Sequence, residues 1–240
     1  MSVTLVLVPG LAGDETLWRS QLDALAPWQP RVSTVHMRES TIEGMAAALL
    51  NEHAGNLVLC GASMGGMVAM EAARQAPGRI LGLALLGTSA APESPQMREL
   101  REAAIELFER GEVVQVIEPN IAYAFHPDHA AQPALVADYM DFVLRAGAQQ
   151  LARQNRALIS RPDARRHLAM LRCPVLVMCG EDDRLTPPEC SREILGLVPH
   201  ARLRLLARCG HMLTMERPHQ VNAALQAWLQ EIRPGSGPSP

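Results

Sequence analysis

Six short segments rich in β-forming residues recur along the 240-residue chain, and most of them are continuous apolar runs without alternation. A strand of this kind is buried on both faces, which is typical of a parallel sheet covered by helices. The predicted strands are Val3–Val8, Arg31–His36, Asn56–Cys60, Ile80–Leu86, Pro174–Cys179 and Arg202–Leu206. The pattern therefore requires helices on both sides of the sheet.

Helical patterns fill most of the intervals between these strands. The predicted helices are Glu15–Leu25, Thr41–Leu50, Met64–Gln75, Pro188–Leu197 and Pro218–Ile232. Pro218 suits the first turn of the last helix, where a backbone N–H would be unpaired anyway. Strands that alternate with helices predict a doubly wound α/β fold with a mostly parallel, six-stranded sheet.

One interval, from about Ala91 to Arg172, contains helical patterns and no convincing strand. Its predicted helices are Met97–Glu109, Val113–Tyr123, Leu135–Arg145 and Gln149–Ile159. Because ligands bind beyond the carboxyl ends of parallel strands, an insertion at this point is expected to cover the binding crevice. We therefore predict an α/β core at residues 1–90 and 173–232 and a helical cap at 91–172. The Pro/Gly/Ser-rich residues 233–240 are predicted to be a disordered tail.

The charged residues argue against several classes of partner. The net charge is −3 and the basic residues are scattered, so the chain lacks the basic patch expected for nucleic acid or an acidic membrane. This favours a small ligand that is uncharged overall. All 22 basic residues are arginine, so Schiff-base chemistry and a P-loop lysine are excluded.

The five cysteines form no CxxC pair and mostly lie in or beside apolar runs, where free thiols behave as small hydrophobic residues. This suits a reducing compartment. The N-terminal apolar run, Val3–Val8, is too short for a signal sequence or a membrane span. We expect a cytoplasmic protein without a membrane partner, and no signal in the sequence indicates an oligomeric state.

The segment Gly61-Ala62-Ser63-Met64-Gly65 fits the pattern G-x-S-x-G between a predicted strand and a predicted helix. Glycines at both ends let the two backbone segments approach closely, and the serine between them is exposed in a strained conformation. In this context the pattern predicts a nucleophile elbow. The alternative is a small residue at a tight turn.

A nucleophilic serine needs a base and a group that orients the base. The sequence "CGEDDRLTP" follows the fifth predicted strand, and "CGHMLTMERP" follows the sixth. These segments supply Asp183, with Asp182 as a neighbouring alternative, and His211. Ser63, the acid and His211 then occur in the order that the elbow fold requires.

The transition state also needs donors for its oxyanion. The first strand ends in "PGLAGD", and the backbone N–H of Leu11 in this turn is predicted to face the site. The N–H of Met64, directly after the serine, is the second predicted donor. Two such donors typically contribute several kcal/mol of transition-state stabilisation.

Together these motifs resemble those of the α/β-hydrolases, in particular the small capped members such as esterases and enol-lactonases. The resemblance extends from Val3 to Leu229. Its motifs are the turn Gly10–Gly13 with Trp18, the elbow Gly61–Gly66, "CPVLVMCGEDDRLTP" and "GHMLTMERP". It implies a sheet of six parallel strands, and it implies that the acid is Asp183, three residues after Gly180.

Three further positions are interpreted beside this resemblance. Many relatives carry His-Gly in the first turn, whereas this chain has Pro9-Gly10, so a side-chain hydrogen bond that usually holds the turn is missing. Glu216 is interpreted as a structural carboxylate at a helix start. The segment "FHPDH", Phe125 to His129, could suggest a metal site, but its spacing matches no ligand pattern and a solvated loop is favoured.

The sequence therefore predicts a serine hydrolase that cleaves a small, largely apolar ester, thioester or lactone through an acyl-enzyme on Ser63. His211 is the predicted base, Asp183 orients it, and no metal or organic cofactor is needed. Two alternatives stay open. The same triad could perform carbon–carbon cleavage or elimination, or the capped pocket could serve a small-molecule receptor whose hydrolytic activity is vestigial.

Overall fold

The computed structural model describes residues 3–232, and the predicted tail at residues 233–240 lies outside this range. Its strands are β1 (Val3–Val8), β2 (Arg31–Val32), β3 (Asn56–Ala62), β4 (Ile80–Leu86), β5 (Val175–Gly180) and β6 (Arg202–Leu206). They form one sheet in the order β2-β1-β3-β4-β5-β6, and every adjacent pair is parallel. The predicted six-stranded parallel α/β fold is thereby confirmed.

The second strand is much shorter than predicted. Only Arg31 and Val32 pair with β1, although the sequence favoured a strand from Arg31 to His36. Ser33 still donates its N–H to the carbonyl oxygen of Leu7, but the chain then turns through a 3-10 segment, Val35–Met37. The turn buries His36, whose ring contacts the backbone of another loop. That contact between distant segments of the chain was not visible in the apolar pattern.

Helices cover both faces of the sheet. They are α1 (Glu15–Ala24), α2 (Ile42–Glu52), α3 (Met64–Gln75), α4 (Pro95–Glu109), α5 (Val113–Ala124), α6 (Pro127–Ala130), α7 (Pro133–Ile159), α8 (Arg165–Leu168), α9 (Pro188–Leu197), α10 (Leu213–Glu216) and α11 (Pro218–Ile232). Within residues 3–232, none of the helices is long and apolar enough to span a membrane.

The strand residues alternate between two hydrophobic cores. Leu5 and Leu7 of β1 pack on the face that carries α1 and α11, while Val6 and Val8 pack on the face that carries α2, α3 and α9. The four inner strands, β1, β3, β4 and β5, therefore bury apolar side chains on both sides, which explains why they are continuous apolar runs. The edge strand β6 instead alternates exposed arginines with half-buried leucines.

Helices α4 to α7 lie between β4 and β5 in the sequence, and we call them the cap helices. The structure adds a short helix, Pro127–Ala130, to those predicted. The helical range Pro133–Ile159 consists of two segments that meet at a kink at Gly147, where φ is 75° and ψ is 165°, in agreement with the two helices predicted there. The cap helices share a hydrophobic core with one face of the sheet.

Candidate active site

Ser63 lies at the sharp turn between β3 and α3. Its backbone has φ 52° and ψ −118°, a conformation that L-residues rarely adopt. The N–H of Ser63 donates to the carbonyl oxygen of Leu86 at 2.8 Å, which attaches the turn to the end of the neighbouring strand. The strained serine is therefore held in place by the sheet.

The glycines at 61 and 65 allow this turn to form. A Cβ at Gly61 would lie 2.3 Å from the carbonyl oxygen of Gly65, and a Cβ at Gly65 would lie 2.0 Å from that of Val8. Both obstacles are backbone atoms, which cannot move aside as a flexible side chain can. The turn therefore excludes side chains at both positions, as the sequence pattern predicted.

A continuous chain of hydrogen bonds joins Ser63, His211 and Asp183. The Ser63 Oγ lies 2.9 Å from His211 Nε2, and His211 Nδ1 lies 2.8 Å from Asp183 Oδ2. The three residues follow β3, β6 and β5 respectively, and the carboxyl ends of these parallel strands meet at the same edge of the sheet. In this geometry His211 can accept the serine proton while Asp183 stabilises the resulting charge.

The loop after β5 holds the carboxylate of Asp183. The N–H groups of Leu185 and Thr186 each donate to Oδ1 at 2.9 Å, and the Thr186 hydroxyl donates to Oδ2 at 2.9 Å. Burial raises the pKa of Asp183, but His211 and the Thr186 donors outweigh it, so that its pKa lies below the ordinary value. Asp183 is therefore ionised at neutral pH.

The pKa of His211 is shifted in the opposite direction from that of Asp183. Burial lowers the pKa of its imidazole, but the charge and hydrogen bond of Asp183, with a smaller contribution from Glu216, raise the pKa above its ordinary value. The positive charge of Arg101 opposes this rise. The carboxylates around His211 therefore stabilise the imidazolium that forms when the ring accepts a proton.

Gly87, directly after β4, leaves space for the acid and histidine side chains. Its φ is 52°, and a Cβ there would lie 3.3 Å from Asp183 Oδ2 and 3.4 Å from His211 Nδ1. Sequence reasoning missed both Gly87 and Thr186. The spacing of Thr186, three residues after Asp183, is typical of a side chain that closes a turn on a carboxylate.

The alternative acid lies elsewhere. Asp182 is exposed, and its Oδ2 lies 3.8 Å from the Nε2 of His126 rather than beside His211. His200 and His219 are both exposed and lie outside the hydrogen-bond chain. Of the two adjacent aspartates, only Asp183 contacts His211.

The two predicted oxyanion donors flank Ser63. Met64 is the first residue of α3, so its N–H lacks an intrahelical acceptor. A Cβ at Gly10 would lie 3.1 Å from Ser63 Cβ, which places the turn containing Leu11 beside the serine, and Leu11 lines the cavity. Among the described residues, neither N–H has a backbone acceptor in the loops or turns.

The turn that contains Leu11 is held by groups from distant segments. The N–H of Ala12 donates to Gln154 Oε1 at 2.8 Å, and Gln154 Nε2 donates to the carbonyl oxygen of His36 at 3.0 Å. His36 Nε2 in turn donates to the carbonyl oxygen of Gly13 at 2.7 Å. These bonds hold a turn that lacks the usual histidine, and Gln154 belongs to a cap helix.

Glu216 is a buried structural carboxylate whose hydrogen-bond partners were not predicted. It ends the short helix α10 and lies buried, and it accepts hydrogen bonds from Gly210 N at 3.0 Å and His126 N at 2.9 Å. Its Oε2 also lies 2.8 Å from His129 Nδ1. Glu216 therefore joins the loop before His211 to the segment that precedes α6. It lies two residues before the start of α11, so its interpretation as a structural carboxylate at a helix start agrees with the structure, but its hydrogen-bond partners lie outside that helix.

The segment from Phe125 to His129 also differs from the prediction. Pro127–Ala130 forms a short helix, and both Phe125 and His129 are buried, so the segment is not a solvated loop. The burial follows from contacts with Glu216 and Tyr139, which are distant in the sequence. Within residues 3–232, no group of three or more His, Cys, Asp or Glu residues is arranged to hold a metal ion.

A cavity of about 500 Å³ opens above Ser63. Most of its wall is apolar and comes from the cap helices, with Phe108, Ile117 and Phe142 among the residues that line it. His211 and Leu11 lie at its floor together with Ser63. The cavity therefore has the size of a small-molecule pocket, and the Ser63 hydroxyl is part of its wall.

Comparison with known proteins agrees with this architecture. A protein of Serratia proteamaculans (strain 568) named "Putative carbamate hydrolase RutD" is 24% identical over 246 residues, which cover 95% of this chain and 91% of that protein. A thermophilic esterase from Thermogutta terrifontis, whose structure contains malate, is 29% identical with a TM-score of 0.89, covering 98% of this chain and 92% of that chain. The enol-lactonase from Burkholderia xenovorans LB400 has a TM-score of 0.85 at 22% identity, covering 96% and 92%, and shows likeness of fold.

The family comparison covers most of the chain. The model of the alpha/beta hydrolase family matches residues 5–224, which include the elbow, the loop after β5 and the loop that carries His211. Because this match extends from β1 into α11 and the sheet has the order described above, the chain belongs to the alpha/beta hydrolase family.

Proposed function

We propose that this α/β-family hydrolase cleaves a small carboxylic ester with a largely apolar skeleton, through an acyl-enzyme on Ser63. The observation that carries the proposal is the unbroken hydrogen-bond chain from Ser63 Oγ through His211 to Asp183, which begins at the floor of an apolar cavity. A serine with a base at 2.9 Å is arranged for nucleophilic attack.

In the acylation step, Ser63 Oγ attacks the ester carbonyl carbon and His211 Nε2 accepts the hydroxyl proton. The carbonyl oxygen becomes an oxyanion, which the N–H groups of Met64 and Leu11 stabilise. His211 then donates its proton to the alkoxide leaving group, and the alcohol departs. Asp183 fixes the imidazole orientation and stabilises its positive charge throughout.

In the deacylation step, water replaces the alcohol. His211 accepts a proton from water, and the resulting hydroxide attacks the acyl carbon while the same two N–H groups stabilise the second oxyanion. The proton then returns to Ser63 as the acid product leaves. Neither step needs a group beyond the residues of this chain and water.

The cavity supports an ester of modest size. Its volume of about 500 Å³ is at the smaller end of the range for small-molecule pockets, and aromatic and aliphatic side chains form most of the wall. The Thermogutta relative, named as an esterase, supports the same reaction class.

The test is Ser63→Ala with p-nitrophenyl butyrate. We expect a folded protein whose turnover falls by at least about several hundredfold, because the variant lacks the nucleophile. Ser160→Ala, an exposed serine at the end of a cap helix, is the matched control and should retain full turnover. A fluorophosphonate probe should label the wild type on Ser63 and leave Ser63→Ala unlabelled. Undiminished turnover in Ser63→Ala would contradict the proposal.

A second substrate class is favoured by the name of the Serratia relative, a carbamate hydrolase. Carbamates and esters use the same attack on a carbonyl carbon, but the carbamate nitrogen donates electrons to that carbon and slows the attack. Ethyl butyrate and its isostere ethyl N-ethylcarbamate separate the two classes. A higher kcat/KM for the ester supports the primary proposal, and the reverse order assigns this enzyme to carbamates.

A further inference from the structure

The cavity wall carries two positively charged side chains. Two arginines line it, Arg101 from α4 and Arg184 from the loop after β5. None of the described lining residues is an aspartate or a glutamate. Because most of the remaining wall is apolar, this charge requires an explanation.

Arg101 is held rigidly in the wall. Its Nε donates to Glu93 Oε2 at 2.5 Å and its Nη1 donates to Asn155 Oδ1 at 2.9 Å. The side chain is 21% exposed, and no hydrogen bond joins its Nη2 to any residue between 3 and 232. One edge of the guanidinium is thus fixed by the protein, and a donor of the same group remains available.

Glu93 does not need Arg101 for its neutralisation. Arg161 Nη1 donates to the same Oε2 at 2.6 Å, and the side chains of Arg161 and Glu93 are 7% and 3% exposed. Burial raises the pKa of Glu93, but Arg161 and Arg101 hold it below its ordinary value, so Glu93 is ionised. The cluster of Arg101, Glu93 and Arg161 therefore has a net charge of +1.

A buried, uncompensated charge is costly unless a partner neutralises it. Arg101 and Arg161 both pair with Glu93, so the one carboxylate leaves one positive charge of the cluster unbalanced. The position of Arg101 on the cavity wall makes a bound molecule the available partner. The charge also reaches the reacting groups, because Arg101 lowers the pKa of His211.

Charge balance selects the class of anion. One carboxylate neutralises a cluster of net charge +1, whereas a phosphate dianion would leave a negative charge in an apolar wall. A carboxylate is also planar and matches the donors of a guanidinium. Arg184 is exposed and makes no ion pair with the described residues, so it adds positive potential outside this cluster.

We propose that Arg101 forms a carboxylate subsite in the cavity and that the preferred substrates are esters bearing one carboxylate a few carbons from the reacting carbonyl. This inference rests on the proposed function and names its substrate class. It revises the expectation, drawn from the scattered charges of the sequence, of a ligand without charge. The carboxylate belongs either to the acyl part or to the alcohol part of the ester.

Matched ester pairs test the preference. Monoethyl glutarate and ethyl 5-methylhexanoate differ only in a carboxylate replaced by an isopropyl group of similar shape, with the charge on the acyl side. The butyrate ester of 4-hydroxybutyrate and 4-methylpentyl butyrate form the equivalent pair for the alcohol side. In at least one pair we expect the charged ester to have a kcat/KM about tenfold higher or more, since hydrogen bonds to charged groups are the stronger class. A preference for the neutral ester in both pairs would overturn the proposal.

Arg101→Met tests the residue. The ratio of kcat/KM for the charged ester to that for its neutral isostere should fall at least about tenfold, because methionine retains length and loses the donor. Arg98→Met is the matched control: Arg98 lies one turn earlier on α4 and donates to the carbonyl oxygen of Ile159. In Arg98→Met, the ratio of kcat/KM for the charged ester to that for the neutral ester should equal the wild-type ratio. A ratio in Arg101→Met within threefold of the wild type would refute the subsite, and thermal unfolding checks that both variants are folded.

A binding measurement separates this inference from the proposed reaction. Calorimetry with glutarate on Ser63→Ala needs no turnover, and adding Arg101→Met in that background should weaken binding at least about tenfold. Glutarate that binds both proteins equally, or binds neither, contradicts the subsite. Binding that depends on Arg101 in a protein whose wild type hydrolyses no ester would support the subsite and reject the proposed function.

Discussion

The carboxyl edge of the sheet and the cap helices meet at Ser63, but they contribute to the site in different ways. The sheet edge supplies Ser63, Asp183 and His211, each placed by a loop that directly follows a strand. The cap supplies most of the cavity wall, and its polar groups are joined to the core by hydrogen bonds between distant residues. We therefore propose that the sheet edge determines the reaction and the cap helices determine the substrate.

Gln154 and Glu216 are two of the residues that connect these regions, and both lie close to the groups around Ser63. Gln154 of the cap holds the turn that contains Leu11, and Glu216 of the core holds His126 of the cap together with Gly210. The sheet edge and the cap helices therefore do not act independently, because residues of the cap segment form hydrogen bonds with the loops that surround Ser63. The following variants test how far this coupling extends.

The largest effect is expected from Asp183→Asn at the sheet edge. The amide has the size of the carboxylate but cannot stabilise the imidazolium or fix its tautomer, so kcat should fall by about 10³- to 10⁴-fold. Steady-state kinetics with p-nitrophenyl butyrate measures the change. Asp182→Asn is the control, because that exposed neighbour lies 3.8 Å from His126 instead of beside His211. Equal losses in the two variants would contradict the assignment of the acid.

Glu216→Gln is expected to have an intermediate effect at the junction. The glutamine loses the charge that faces His129 and one of the acceptor oxygens, so the loop carrying His211 should shift and kcat should fall by about 10- to 100-fold. The free energy of unfolding should fall by about 1.5–3 kcal/mol, measured by urea denaturation. Glu189→Gln, an exposed helix position, should change neither quantity. If only stability changes, Glu216 is not coupled to the reaction.

Gln154→Leu tests the cap contact to the oxyanion turn. Leucine leaves the N–H of Ala12 and the carbonyl oxygen of His36 without these partners. We expect kcat to fall about fivefold with KM nearly constant, which corresponds to about 1 kcal/mol of transition-state stabilisation. Gln149→Leu, at an exposed position of the same helix, is the control. An increase in KM at constant kcat would instead assign Gln154 to substrate binding.

The smallest expected effect concerns pH. His211 must be neutral to accept the serine proton, and Asp183 raises its pKa, so the acid limb of kcat/KM for a neutral ester should have its midpoint above the ordinary histidine value of about 6.5. Arg101 lowers this pKa, so Arg101→Met should move the midpoint to higher pH. A midpoint that moves to lower pH would show that the charge of Arg101 does not act on His211.

The sequence by itself determined the parts that depend on neighbouring residues. Continuous apolar runs predicted strands such as Ile80–Leu86 with the bounds that the structure shows. A strand that is buried on both faces has apolar residues at every position, so polar and apolar residues do not alternate along it. The glycines around Ser63 identified the elbow, because the tight turn excludes side chains there. The order of Ser63, Asp183 and His211 after successive strands then predicted three residues that the structure brings into contact.

Only the tertiary structure decided the contacts between distant segments. The hydrogen bond between Gln154 and Ala12 spans 142 positions and that between Glu216 and His126 spans 90, and no periodicity or motif encodes such pairs. The same limit applies to His36, which leaves the predicted strand for a buried bond to Gly13. The net charge of the chain also gave no indication that Arg101 lines the cavity. Its charge is unbalanced only in the folded protein, where it lies beside a carboxylate that another arginine already neutralises.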